Sequence, residues 1–335
     1  MGDERVLLAH GSGGRLSHAL VRRMFVSRFD NEQLRRLDDS AILSLAGGRL
    51  AFTTDSYVVK PLFFRGGDIG RLAVCGTVND LATAGAVPLY LSVAFVIEEG
   101  LPMADLERVV ASMREAAAEA GVSIVTGDTK VVERGGADCL FVNTAGVGVV
   151  RGGRDISSHN ARPGDRVILS GTIGDHGIAV VSAREGLSFA TDIVSDVAPL
   201  NRLVGAMLDA GEVHALRDPT RGGLATTLNE IAEQSGVSIV LDERSIPIRD
   251  GVWAACEMLG FDPLYVANEG KIVACVAADS AQSVLAAARR TRYGEEAAII
   301  GEVVEGKPGR VLMRTGIGGT RVVDMLAGEL LPRIC

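Results

Sequence analysis

The stretch DIGRLAVCGTVNDLATAGAVPLYLSVAFVI, residues 68–97, decides the fold. Its second part, Leu81–Ile97, is the longest uncharged run in the chain, but Gly85 and Pro88 interrupt it, and it falls short of the roughly 20 apolar residues that cross a bilayer. It therefore reads as a helix over Asp68–Ala84, a turn, and a buried strand over Leu89–Ile97. A helix running into a buried strand is an α/β unit, and the same rhythm continues on both sides. Upstream lie an amphipathic helix near Ser17–Phe29 and a hairpin, AILSL to AFTTD, turning at Gly47-Gly48. Downstream, Pro102 opens a helix whose apolar stripe is Leu106, Val109, Val110, Met113 and Ala117, and Gly121 closes it. The strands SIVTGDTK and CLFVNTAGVGVV follow.

At Arg151–Asp165 the composition changes to RGGRDISSHNARPGD, a linker between two halves. The second half begins with the strand RVILSG and a helix after Asp175. Strands near Val237–Leu241, Ile272–Ala277, Ala298–Val304 and Val311–Arg314 then alternate with helices near Leu200–Ala210, Gly223–Gln234 and Ala281–Arg290. A chain of 335 residues is long enough for two domains of this kind. The expected division is 1–40 as a glycine loop and helix, 41–152 and 153–323 as the two domains, and 324–335 as a mobile tail that Pro332 keeps from being helical.

Composition narrows the function. With 34 Lys+Arg against 42 Asp+Glu, no basic run, and only 4% aromatic residues, the chain lacks both the charge and the stacking surface for nucleic acid, and it has no membrane-binding segment. The first residues, MGDERVLLAHGSGG, begin with acids and lack the basic start and long apolar core of a signal peptide, so none is expected. The five cysteines (75, 139, 256, 275, 335) form no CxxC pair, so a zinc knuckle or disulfide framework is not indicated, and free thiols in the cytoplasm are expected.

The usual nucleotide and hydrolase signatures are missing. GEVVEGKP (Gly301–Pro308) resembles a phosphate loop only until Pro308 takes the place of the metal-binding Ser/Thr, and it reads as strand then turn. What stands out instead is a series of acids at the ends of apolar runs: Asp38-Asp39, Asp55, Asp80, Asp128, Asp175, Asp218 and Glu269. Any one of them is ordinary turn or cap chemistry. Taken together they suit Mg²⁺ and phosphate, because hard cations take oxygen ligands. His10–Gly14 (HGSGG) is a glycine loop able to lay backbone N–H groups on phosphate, or simply a disordered terminus. His176 and His214 read as structural or surface residues. Cys335, the last residue, is a thiol suited to carrying a covalent group, with Arg333 near enough to offset the terminal carboxylate.

The blocks HGSGG, LDDSAIL, TTDSYVV, PLFFRGGDIGRLAVCGTVNDLATAGAVP, GDTK, DPTRGGLATTLNE, ANEGK and PRIC together resemble the HypE family of hydrogenase maturation proteins, in the PurM-like (AIR synthetase) superfamily, from about His10 to Cys335. The resemblance implies a two-domain α/β fold with an N-terminal mixed sheet that pairs across a homodimer. It implies ATP-dependent dehydration of a carbamoyl group carried on Cys335 to a thiocyanate. The carbamoyl group would come from the carbamoyltransferase HypF, and the cyano group would pass to the HypC–HypD complex. By the same resemblance Asp39, Asp55, Asp80 and Asp218 are expected to bind Mg²⁺, with Asp55, Asp80, Asp128 and the loop glycines Gly11, Gly13 and Gly14 around ATP. Glu269 is the expected base and Lys130 a second participant. The alternatives are another ATP-dependent enzyme of the superfamily, of the thiamine monophosphate kinase or selenophosphate synthetase type, and a non-enzymatic scaffold presenting its tail thiol.

Overall fold

A computed structural model describes residues 6–11, 13–29, 31–186, 193–328 and 333–335. Pro332, expected to keep the tail from being helical, lies outside the described residues.

Helix α1 (Arg15–Leu20) runs on through a wider π-helical segment, Val21–Val26, into Ser27–Phe29, so the expected amphipathic helix is present but irregular. Strands β1 (Ala41–Leu45) and β2 (Gly48–Tyr57) form the hairpin. Leu45 faces Gly48, which places Ala46 and Gly47 in the two-residue turn, one position earlier than Gly47-Gly48. Helix α2 (Ile69–Thr83) is capped by Asp68, whose carboxylate accepts from the N–H groups of Gly70 and Arg71. The turn at Gly85, with φ of +71°, leads into β3 (Ala86–Glu98). Helix α3 (Met103–Ala120) starts after Pro102 and stops at Gly121 in the left-handed conformation, as the sequence punctuation indicates. Val109, Met113 and Ala117 of its stripe are buried, whereas Val110 is exposed because Ala116 and Ala120 complete the buried face instead.

Strands β4 (Ser123–Val132) and β5 (Leu140–Val150) complete a mixed sheet in the order β1-β2-β5-β3-β4. Only β3 and β4 pair in parallel. Along β2 the buried Ala51, Thr53 and Tyr57 alternate with the exposed Phe52, Thr54 and Ser56. One face of the sheet is thus packed under α2 and the other is left open to solvent.

The second half contains β6 (Arg166–Leu169), α4 (Asp175–Glu185), α5 (Asn201–Ala210), β7 (Val213–Arg217), α6 (Gly223–Gln234) and β8 (Ser238–Asp242). These are followed by α7 (Asp250–Leu259), β9 (Val273–Val276), α8 (Ala281–Arg289), β10 (Ala298–Val304), β11 (Arg310–Arg314) and β12 (Thr320–Val322). The strands make one sheet, β12-β11-β8-β10-β6-β9-β7. Val167, Leu169, Val273 and Cys275 pack under α6, while Ile168, Ala274 and Val276 pack under α5 and α8. This period-two alternation buries the sheet on both faces. Gly301–Pro308 is the end of β10 and a turn, as read from Pro308. Strand β7, helix α7 and strand β12 are elements that the sequence pattern does not single out.

The two halves share a core. Val180, Val181, Val197 and Ala267 of the second pack against Ile69, Leu72, Ala73 and Val74 of α2. Asn79, fully buried on α2, donates to the carbonyls of Ala198 and Glu269 and accepts from the Leu200 N–H. None of the described helices is long and apolar enough to cross a membrane.

Candidate active site

A cavity of about 300 Å³ opens where the ends of β2, α2 and β7 meet the loops after β7 and before β9. It is lined by Asp39, Asp55, Asp80, Asp218, Glu269, Gly13 and Cys335, and so gathers acids from five separate sequence blocks around the terminal thiol. Asp39 and Asp80 are joined through Thr53 of β2, whose single hydroxyl lies 3.0 Å from the Asp39 carbonyl oxygen and 2.9 Å from the Asp80 carboxyl. In the Asp38-Asp39 pair the first acid has a different task. Its carboxylate accepts from the Ser157 hydroxyl and the Ser158 N–H, tying the linker to the first domain. Asp175, the remaining acid of the series, accepts from Thr172 at 2.5 Å and does not line the cavity.

The loops of the second domain are fastened to one another. Asn268 donates its amide N–H to the Pro219 carbonyl at 2.9 Å and accepts from the Gly174 N–H at 2.7 Å. The adjoining Glu269 donates its N–H to Asp196, which Lys271 pairs at 2.9 Å. This holds Glu269 at 3% exposure with Oε1 lacking any hydrogen-bond partner. A buried, unsatisfied carboxyl facing a polar cavity is a group waiting for a ligand.

The electrostatics follow from crowding acids together away from water. Desolvation raises Asp80 well above the usual carboxylate range, and repulsion from Asp55, Asp218 and Asp39 adds to it. Asp218 is pushed up to about 8 by burial and by Asp39, even though Arg217 opposes the shift. Asp39 rises to about 6 from burial, held down by the Arg217 guanidinium 2.7 Å away. Glu269 rises well above its normal value by burial, then by Asp218 and Asp196. Arg217 also meets Glu230 at 3.0 Å, and Glu230 meets His18 of α1 at 2.5 Å.

Cys335 lies among these groups. Loss of water around it pushes its thiol up to about 12, despite the lowering influence of Arg221. Arg221 is thus the guanidinium that acts on the thiol. Arg333, expected to serve the terminal residue, instead pairs with Asp138, which Lys60 also holds at 3.3 Å. Arg221 donates in addition to the Gly11 carbonyl at 3.1 Å, which draws the glycine loop over the cavity. Of the loop glycines only Gly13, at φ +86°, is among the lining residues. Gly11 and Gly14 stand behind it, and Gly14 presses against the Leu326 backbone.

Asp128 and Lys130 are not brought into this cavity. They pair with each other at 3.2 Å on edge strand β4, with side chains 64% and 70% exposed. The register Asp55–Thr144–Val93–Gly127 puts that strand three spacings from Asp55, about 14 Å across the sheet. Sequence reasoning missed Arg217, Arg221, Tyr57 and Glu230 at the site. For Arg221 the DPTRGG block held the signal, since the arginine sits three residues after the acid that was singled out.

No group of three His, Cys, Asp or Glu among the described residues could by itself hold a metal ion. The donor set nevertheless suits Mg²⁺, which is commonly held by one or two carboxylates and completed by substrate phosphate oxygens and water.

Both halves of the chain match family models. Residues 37–150 match the N-terminal domain of AIR synthase related proteins, and residues 162–314 match their C-terminal domain. Fold and site thus define a two-domain AIR-synthase-related protein. The carbamoyl dehydratase HypE of Rhizobium leguminosarum bv. viciae is 58% identical over 333 residues, covering 99% of this chain and 95% of its own. A crystal structure of a HypE–HypF complex superposes with a TM-score of 0.88 at 52% identity, covering 92% of this chain and 100% of that one. One of HypE in complex with ATP gives 0.84 at 52% identity, with 99% and 100% covered. The chain belongs to the HypE family of carbamoyl dehydratases.

Proposed function

We propose that this chain dehydrates a carbamoyl group carried on the Cys335 sulfur, at the expense of ATP, to leave a thiocyanate. That cyano group would become the cyanide ligand of a [NiFe]-hydrogenase iron centre. The observation that carries the reading is the position of the Cys335 thiol, inside the same cavity as Glu269 and the carboxylates. The carbamoyl oxygen is a poor leaving group. Accepting the terminal phosphoryl group of ATP lets it depart as phosphate while the C–N bond becomes a nitrile and the nitrogen gives up two protons. The site must therefore hold phosphates, orient the carbamoyl group and remove protons.

Asp39, Asp55, Asp80 and Asp218 would hold Mg²⁺, which neutralises phosphate charge when bound. Gly13 and its loop cover the phosphates. Glu269, whose Oε1 has no other partner and whose carboxylate burial makes a stronger base, accepts an amide proton. A thiol pushed up to about 12 is a poor nucleophile, which favours loading by HypF while the tail, 324–335, is outside the cavity. HypF is the donor and the HypC–HypD complex the acceptor.

The open face of the first sheet, with Phe52 and Val149 exposed, supports a homodimer formed through that face. Asp128 and Lys130 lie on the same exposed sheet, and a role for them at an active site requires the second subunit to bring it to them. Five unpaired cysteines support a reducing cytoplasmic setting. The working division is 41–152 for nucleotide binding, with 1–40 as its cover, and 153–323 for the loops that bear Asp218 and Glu269.

The deciding measurement is intact mass after incubation with HypF, carbamoyl phosphate and Mg-ATP. A carbamoyl adduct on Cys335 should form and then become lighter by one water. An adduct that persists unchanged with Mg-ATP would refute the dehydratase reading.

A further inference from the structure

Arg333, Ile334 and Cys335 each accept a hydrogen bond at a main-chain oxygen. The Lys60 N–H donates to Arg333 at 3.2 Å and the Val58 N–H donates to Cys335 at 3.1 Å, so two carbonyls rest on the backbone that follows β2. Arg184 adds a second donor to the Arg333 carbonyl at 2.7 Å. The Ile334 carbonyl between them goes to the imidazole of His176, with Nε2 at 2.8 Å.

His176 is the second residue of α4 and is fully buried, with the Phe64 ring set edge-on at 5.4 Å. Its other nitrogen, Nδ1, lies 2.8 Å from the Ser195 hydroxyl oxygen, which already accepts from the Val197 N–H at 3.1 Å. The Ser195 hydroxyl proton is therefore free to go to Nδ1. That assignment leaves the proton of a neutral imidazole on Nε2, aimed at the tail. Burial lowers the pKa of this histidine and so favours the neutral ring. No step of the proposed reaction uses His176.

We propose that His176 is a positioning residue for Cys335: its Nε2–H holds the Ile334 carbonyl, and through it fixes the thiol at the place where the carbamoyl group reacts. Ser195 sets the imidazole tautomer that makes this possible. Among the described residues, the other donors to residues 333–335 are main-chain N–H groups or the partly exposed Arg184. The imidazole is the one fully buried side chain among them, and without it the Ile334 carbonyl has no donor in an apolar setting, where Ile334 itself is 4% exposed. Losing such a bond shifts an equilibrium by roughly tenfold or more, here from the inserted tail toward a released one.

The proposal rests on the dehydratase reading for its kinetic consequence but not for its structural one, so two measurements are needed. The first is the rate at which iodoacetamide alkylates Cys335 in the full chain, followed by peptide mass spectrometry so that exposed Cys139 is counted separately. His176→Phe keeps the ring and its packing but removes the donor, and should raise that rate about tenfold. His176→Gln, whose amide N–H replaces Nε2–H, should restore it most of the way. Ser195→Ala frees the tautomer and should give an intermediate rate, and it decides the matter by the same measure if His176→Phe does not fold.

The second measurement separates loading by HypF from conversion of the loaded carbamoyl group. His176→Phe should load at least as fast as the parent and convert about tenfold more slowly. Alkylation equal to the parent in every variant that folds overturns the latch. Faster alkylation with no dehydration even in the parent chain leaves the latch standing and refutes the dehydratase reading instead. Loading and conversion slowed equally would mean that His176 only supports the fold, and would also overturn the proposal.

Discussion

At the scale of single residues the site is governed by carboxylates that are costly to ionise together. Glu269→Gln keeps size and polarity but removes the proposed base. It should still accept a carbamoyl group on Cys335 and then stall, with conversion down at least 100-fold, consistent with the 10²–10⁴ typical of general-base removal. Intact mass would show the carbamoyl adduct persisting in Mg-ATP, and conversion at the parental rate would reject Glu269 as the base. Asp80→Asn removes a proposed metal ligand whose ionisation burial already opposes, so the fold should survive while Mg-ATP turnover is lost. Phosphate release against melting temperature checks both halves of that statement.

Protons held by the buried acids also set a pH dependence. Asp39 and Asp218 keep theirs in the folded chain up to about 6 and about 8, whereas an unfolded Asp releases its proton near 4. Between these limits the folded chain binds more protons than the unfolded one. The contribution of the two groups is therefore full below about pH 4 and is lost as pH rises through 6 to 8. A divalent cation competes with these protons. Mg-ATP should thus raise the melting temperature by more at pH 8 than at pH 5.5 in scanning fluorimetry, and equal increments would show that these acids are not the ligands.

At the scale of elements, helices α2 and α3 cross so closely that Gly70 has no space for a side chain. A Cβ there would stand 2.5 Å from the Val109 carbonyl oxygen and 2.8 Å from Met113 Cγ. Alanine gains up to about 1 kcal/mol over glycine in a helix, but overpacking a close contact costs about 1–3 kcal/mol. Gly70→Ala should therefore lower the melting temperature by a few degrees, and an unchanged or higher value would show that the crossing can open.

Elements with clear punctuation were the legible ones. Pro102 and Gly121 bracket α3, and the apolar period of Gly223–Gln234 gives α6 end to end. Strand β7 escaped notice because VHALR is short and places a histidine inside the sheet, where a contact no pattern shows, with Asp165 at 2.9 Å, satisfies it. The acids of the site were legible because each ends an apolar run. Arg217 and His176 were not, because their roles depend on which loop of the other domain arrives beside them. The Arg333–Asp138 pair shows the same limit: nearness in sequence suggested a partner for Cys335 that folding gave to another group.

At the scale of the whole molecule, the uncovered face of the first sheet bears Phe52 at 42% and Val149 at 43% exposure on neighbouring strands. Phe52→Asp together with Val149→Asp leaves the α2-facing side of the sheet untouched and should convert a dimer to monomers in sedimentation velocity. A wild-type chain that sediments as a monomer at micromolar concentration would remove the reason for placing a partner there.

The clasp made by Asn79 has a consequence for how the chain comes apart. Its side chain lies in one half and all three of its bonds end on backbone of the other, inside a core to which both halves contribute. Neither half can leave without uncovering apolar surface and stranding a buried amide. The chain should therefore melt in a single calorimetric transition. Residues 37–150 expressed alone would be an aggregation-prone fragment rather than a smaller nucleotide-binding protein.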